Sequence, residues 1–196
     1  MSTSWVAASV RARALARRRL GAAGARRIAA SDSLDAAVTA VAETPYGHDV
    51  SAGDSIEQAQ HGVAASVLWN IRVLGGWVPR SGVPALRALA AAFEVANIDE
   101  HYRFLQGEPA GPTFRLGAFA TAWPRIVTTT SVSDLRATLR TSTWGDPGSD
   151  TGRTVHLYLR LTWATRVASA VELTAPWMRT ATELMLTRET LLGHAP

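Results

Sequence analysis

Val155-His156-Leu157-Tyr158-Leu159-Arg160-Leu161-Thr162-Trp163 decides the fold class, because its pattern argues for a strand while its neighbours read as helices. Apolar and polar residues alternate there with the period of two expected of a half-buried β-strand. Set beside the first half of the chain, the stretch falls opposite Trp69–Trp77, which continues a helical pattern from Ile56, Ala59, Val63, Val67 and Ile71. It is therefore read as helix, and the fold class as all-α: two tandem helical repeat units packed into one bundle-like domain.

Working outward, residues 5–28 read as a first helix, with Trp5, Ala8, Ala12, Ala16 and Leu20 on one broad face. Gly21 and Gly24 weaken its second half. A second helix starts at Asp32 or Ser33 and is stopped by Thr44-Pro45-Tyr46-Gly47. Asp54-Ser55-Ile56-Glu57 opens a third, with the acid three residues in. Gly75-Gly76 and Pro79 end it, and Ser81 with Pro84 opens a fourth, running to about Leu105. Beyond the connector 106–112 come a short helix over 113–123, a helix from Ser131 or Ser133, a break at Trp144-Gly145-Asp146-Pro147-Gly148, and a last helix from Thr174 or Pro176 through Leu192.

The two halves resemble each other. With Gly47 against Gly145, Ser33, Leu34, Ala37, Val41 and Tyr46 meet Ser131, Val132, Leu135, Leu139 and Trp144. Further on, at a shorter offset, Trp77 meets Trp163, Arg80 meets Arg166, and Ile98, Leu105 and Gly107 meet Leu184, Leu191 and Gly193. Each half carries an apolar stripe too large to leave in water, so two stacked units cover each other. The expected organisation is a basic N-terminal helix plus first repeat over 1–108 and a second repeat over 113–196.

Composition supports a folded chain: 47% of residues are hydrophobic and 18% charged. All 20 basic residues are arginine and alanine is abundant, which reads as a GC-rich coding bias, not as function, so arginine in place of lysine carries little weight as a sign of nucleic-acid binding. The charge is uneven. Residues 1–30 hold seven arginines and no acid, a formal +7, and the remainder carries −3. There is no cysteine, so disulfide and thiolate chemistry are excluded. No apolar run reaches the roughly 20 residues of a spanning helix. The arginine-rich start is like an organellar transit peptide but lacks a hydrophobic signal core, and it is read as a retained first helix.

Few residues suggest chemistry. No P-loop or dinucleotide glycine pattern occurs. Gly53-Asp54-Ser55 is like the start of a lipase-type hydrolase, but Ser55 opens a helix and His194 is the one late histidine, so capping is the better reading. The five histidines lack the spacing of a helical zinc pair, and Asp99-Glu100-His101 is read as a solvated helix surface. Trp69, Trp77, Trp123, Trp144, Trp163 and Trp177 are read as packing residues, with a protein-binding surface as the alternative. No catalytic residue, metal or cofactor is expected. The functional signal is the cluster Arg11, Arg13, Arg17 and Arg18, offered to an acidic protein surface first, an anionic membrane surface second (~1 kcal/mol per arginine) and nucleic acid last.

Arg11-Ala12-Arg13-Ala14-Leu15, then Ala42-Glu43-Thr44-Pro45-Tyr46-Gly47, then Phe93-Glu94-Val95-Ala96-Asn97-Ile98 running to Leu105 together resemble the C/d subunit family of V-type ATPases. The resemblance covers roughly residues 8–107, with a fainter echo over Glu183–Leu192. It implies an all-helical, non-catalytic coupling protein that links the membrane rotor ring to the central stalk in proton transport. It also implies a cytoplasmic location, peripheral on the cytoplasmic membrane face. The family has three repeats where this chain has room for two, which leaves as the alternative a stand-alone helical protein binding nucleic acid or anionic surfaces through its arginine-rich helix.

Overall fold

The computed structural model describes residues 3–192, and no strand forms among them. The chain is all-α. Its contacts divide into two compact units, Met1–Val83 and Pro84–Pro196, and each is described by itself. Among the described residues no helix is long and apolar enough to cross a membrane.

The first unit contains α1 (Thr3–Arg17), α2 (Gly21–Ala29), α3 (Leu34–Ala42) and α4 (Ile56–Gly75). The single helix expected over 5–28 is two helices. Gly21 takes a φ of +70°, a left-handed conformation that ends α1 and that glycine adopts without steric cost. Ala8 and Leu15 form the buried side of α1, and α1 packs on α4. Val38, Val50 and Ala59 make a small core with Val41, Tyr46 and Val63 against it. Ser33 caps α3, its hydroxyl accepting from the Ala36 N–H at 3.1 Å. The cap of α4 is Ser55 with Gln58 in a reciprocal capping box, one residue later than the expected Asp54/Glu57 pair. The Ser55 hydroxyl also donates to Glu57 at 2.8 Å, so it is occupied as a helix cap. Its suggested partner His194 lies outside the described residues.

The second unit contains α5 (Val83–Leu105), α6 (Trp123–Ile126), α7 (Val132–Arg140), α8 (Gly152–Ala170) and α9 (Ala175–Leu191). The ambiguous stretch 155–163 is helical, inside α8. Its apparent alternation hides a helical face: Val155, Leu159, Ala164 and Val167 are the buried residues of α8. The helix expected over 113–123 is instead irregular chain with a short 3-10 turn at Gly117–Phe119, and α6 begins only at Trp123. α5 is the centre of this unit. Val95, Ile98 and Tyr102 pack with Ile126, Leu135, Leu139, Trp144, Val155 and Leu159.

Polar residues on α5 then fasten the irregular chain. Glu94 is fully buried, and its carboxylate accepts from the N–H groups of Thr121 (2.8 Å), Ala122 (2.9 Å) and Trp123 (2.8 Å), from the Thr121 hydroxyl, and from the Trp144 indole N–H at 3.1 Å. One turn on, fully buried Asn97 accepts from the Phe114 N–H at 2.6 Å and donates to the Phe114 carbonyl at 2.9 Å. Buried His101 bonds Thr129 at 2.9 Å, and the Tyr102 hydroxyl donates to the Asp150 carbonyl at 2.9 Å. A buried charge or amide is stable only when its partners are supplied in this way.

These contacts correct the reading of Asp99-Glu100-His101 as solvated surface. The three side chains diverge around α5. Asp99 meets Arg160 at 2.6 Å and His156 at 3.5 Å, Glu100 accepts from the Gly111 N–H at 2.6 Å, and His101 is buried. Burial pushes the Asp99 carboxyl above the usual carboxylate range, against the pull of Arg160 and His156, and pushes the His101 imidazole down.

Local structure recurs at the point where the halves look alike in sequence. Ser131 caps α7 through the Asp134 N–H at 3.1 Å, with backbone angles (−149°, 161°) like those of Ser33 (−150°, 162°). The correspondence drawn at the shorter offset does not follow the elements. Arg80 opens a 3-10 turn whereas Arg166 lies inside α8, and Trp77 follows the end of α4 whereas Trp163 is within α8. Two of the three 3-10 turns among the described residues, Arg80–Gly82 and Glu172–Thr174, instead lead directly into helices with proline at the second position, Pro84 and Pro176.

Candidate partner-binding site

The arginines of α1 do not form one patch. Helical spacing puts Arg11 and Arg18, seven residues apart, beside the buried face marked by Ala8 and Leu15, and turns Arg13 and Arg17 to the far side. Arg13, Arg17 and Arg18 are exposed, whereas Arg11 is half-buried with its guanidinium 5.9 Å from the Trp77 ring. The end of α1 then brings Arg18 and Arg19 to a cavity of ≈ 100 Å³ that Pro45, Tyr46, His48 and Asp49 of the α3–α4 turn and Ser66, Trp69 and Asn70 of α4 also line.

The turn owes its shape to a short chain of bonds. The Thr44 hydroxyl donates to the Val41 carbonyl at 2.5 Å and accepts from the Tyr46 N–H at 3.2 Å, while the N–H groups of Asp49 and Val50 return to the Tyr46 carbonyl. The turn can lie on α4 because residue 62 is glycine. A Cβ there would overlap the Asp49 carbonyl. With the backbone this close, the Ser66 hydroxyl donates to Asp49 at 2.8 Å, and His48 Nδ1 sits 3.1 Å from the same carboxylate. His48 stacks on Trp69 with centroids 6.4 Å apart.

Asp49 is therefore committed inside the site, and Arg18 and Arg19 are the cations at its mouth. Arg19 donates from Nε to the Ala16 carbonyl at 3.1 Å, which leaves the rest of its guanidinium fork for a ligand. A cavity of ≈ 100 Å³ is below the roughly 300 Å³ at which small-molecule pockets begin. It suits a single carboxylate or comparable anionic group with an aromatic wall beside it.

Of the sequence candidates, then, Arg18 is at the cavity, Arg13 and Arg17 are exposed on another face of α1, and Arg11 is on Trp77. Arg19, Tyr46, His48 and Trp69 are residues that sequence reading did not select for the site. The signal for Tyr46 was present in the Thr44-Pro45-Tyr46-Gly47 turn. Nothing in the periodicity of α4 marks Trp69, which was read as packing but is 42% exposed. Trp77 and Trp177, at 49% and 77%, also depart from that packing role, whereas Trp144 fulfils it at 1%. Among the described residues no group of three or more histidine or acidic side chains could hold a metal ion. Compared with protein-family models, with curated proteins and with solved structures, the chain finds no match.

Proposed function

We propose that the protein is a non-catalytic helical adaptor that takes an acidic side chain of a partner protein between Arg18, Arg19 and Tyr46. One observation carries the reading. The arginine helix and the Thr-Pro-Tyr-Gly turn, the two most distinctive features of the first hundred residues, line the same cavity. The cavity's small size favours a group presented by a larger partner over a free metabolite. Arg13 and Arg17, on the outer face of α1, extend the positive field that draws such a partner in. The resemblance to the V-type ATPase C/d subunit suggests where to look, namely the central stalk and rotor ring of a rotary ATPase.

The test compares the intact protein with Arg18→Glu/Arg19→Glu in pull-downs from detergent-solubilised membranes at low salt, probed for stalk and ring subunits. Retention should weaken at least tenfold in the variant, about 1.4 kcal/mol, and fall with added salt. A partner held equally by both proteins would overturn the cavity's role. Retention of anionic vesicles or nucleic acid, lost in Arg13→Glu/Arg17→Glu instead, would favour the stand-alone basic-helix reading.

A further inference from the structure

We propose that the second unit carries a binding site for a small organic carboxylate with a short apolar tail, between the first turns of α5, the later turns of α8 and the chain at Thr121 and Thr143. A cavity of ≈ 460 Å³ opens there, within the range of small-molecule pockets. Pro84, Ala88 and Ala91 of α5 and Ala170 of α8 give it apolar walls, and Arg87 and Arg166 are its two charged residues.

Arg166 is held ready. Its guanidinium lies 4.3 Å from the Trp144 ring centroid and donates to the Thr143 carbonyl. Half-buried, it is pushed by desolvation below the ordinary arginine range, with Glu94 pulling the other way. The Glu94 oxygens, however, already accept from Thr121, Ala122, Trp123 and Trp144. No ion pair to Arg166 or Arg87 occurs among the described residues. A guanidinium has five donors in a planar fork matched to a carboxylate. A partly desolvated one, stacked on a ring and bonded to a single carbonyl, retains donors for such a group. The alanine and proline walls then accept carbon, which excludes a bare inorganic anion as the best fit.

The site is in a different unit from the Arg18 cavity and does not depend on that reading. Hexanoate, hexylammonium and inorganic phosphate serve as probes in calorimetric titration of the full chain at low salt. Hexanoate should bind saturably at one site, hexylammonium should not bind, and phosphate should bind at least tenfold more weakly. Arg166→Gln should weaken hexanoate at least tenfold and Arg87→Gln about threefold, while Ser169→Leu, which fills the cavity from an exposed position, should abolish binding. Arg166 also balances Glu94, so if Arg166→Gln does not fold, Arg87→Gln and Ser169→Leu decide the matter. Absence of saturable hexanoate binding, equal binding of hexylammonium or phosphate, or binding unchanged in Arg87→Gln and Ser169→Leu would overturn the proposal. Arg18→Glu should leave hexanoate binding as it is.

Discussion

The turn after α3 and the turn after α7 are built alike and used differently. In each, a hydroxyl bonds back to the helix and receives the N–H of an aromatic two residues on: Thr44 donates to Val41 and accepts from Tyr46, and Ser142 donates to Leu139 and accepts from Trp144. In the first unit the aromatic is half-buried and lines an open cavity. In the second it is buried to 1% and donates to Glu94. The backbone device fixes where an aromatic ring goes. Whether the ring becomes core or cavity wall depends on what faces it. Tyr46 meets arginines at a helix end, and Trp144 meets a buried carboxylate.

The contrast can be broken most forcefully at Glu94. Glu94→Ala leaves buried donors from Thr121, Ala122, Trp123 and Trp144 without their acceptor. At about 1–3 kcal/mol for an unsatisfied buried group, the loss should reach at least about 3 kcal/mol in urea unfolding. A loss below 1 kcal/mol would mean that the carboxylate does not organise the second unit. A smaller effect separates the two aromatics. Trp144→Phe removes the indole N–H and should cost about 1–3 kcal/mol, while Tyr46→Phe should stay within about 0.5 kcal/mol; equal thermal shifts would erase the distinction between core and surface. The smallest difference between the units is expected at the caps, which should match. Ser33→Ala and Ser131→Ala should each cost about 1 kcal/mol, and a twofold difference between them would show that the shared local geometry hides unequal contexts.

Much of this architecture can be read from sequence, and the reasons differ by region. Ser33 and Ser131 were legible because a cap is decided by its own residue and the next three. The helical state of Val155–Trp163 is not decided by its own nine residues, which satisfy both periods, and the comparison with Trp69–Trp77 reaches the right state through a correspondence that the elements do not follow. The break at Gly21 is hard to read, because alanine-rich chain on either side favours helix and the one residue that interrupts it does so through a φ of +70° that leaves no mark in the pattern. The spacing of Leu86, Leu89, Ala90, Phe93, Ala96 and Asn97 puts Asn97 on the apolar side of its helix, where it is buried, but the burial of Glu94 and His101 is not legible in the sequence. Glu94 and His101 look like the polar side of a surface helix, and their burial depends on acceptors and donors some 27 to 50 residues away. The cavity beside Arg18 and Tyr46 is half legible. Arginines at the end of α1 and the turn at Tyr46 were both singled out, but their meeting rests on Gly62, whose missing Cβ has no signature in a hydrophobic pattern.

The attachment of Thr121, Ala122 and Trp123 to one side chain 27 to 29 residues earlier couples an irregular segment to the most buried helix of its unit. Each of those amides that opens to solvent takes one donor from a buried carboxylate that they share. The chain just ahead of α6, irregular and otherwise free to fray, is thereby tied to the opening of α5.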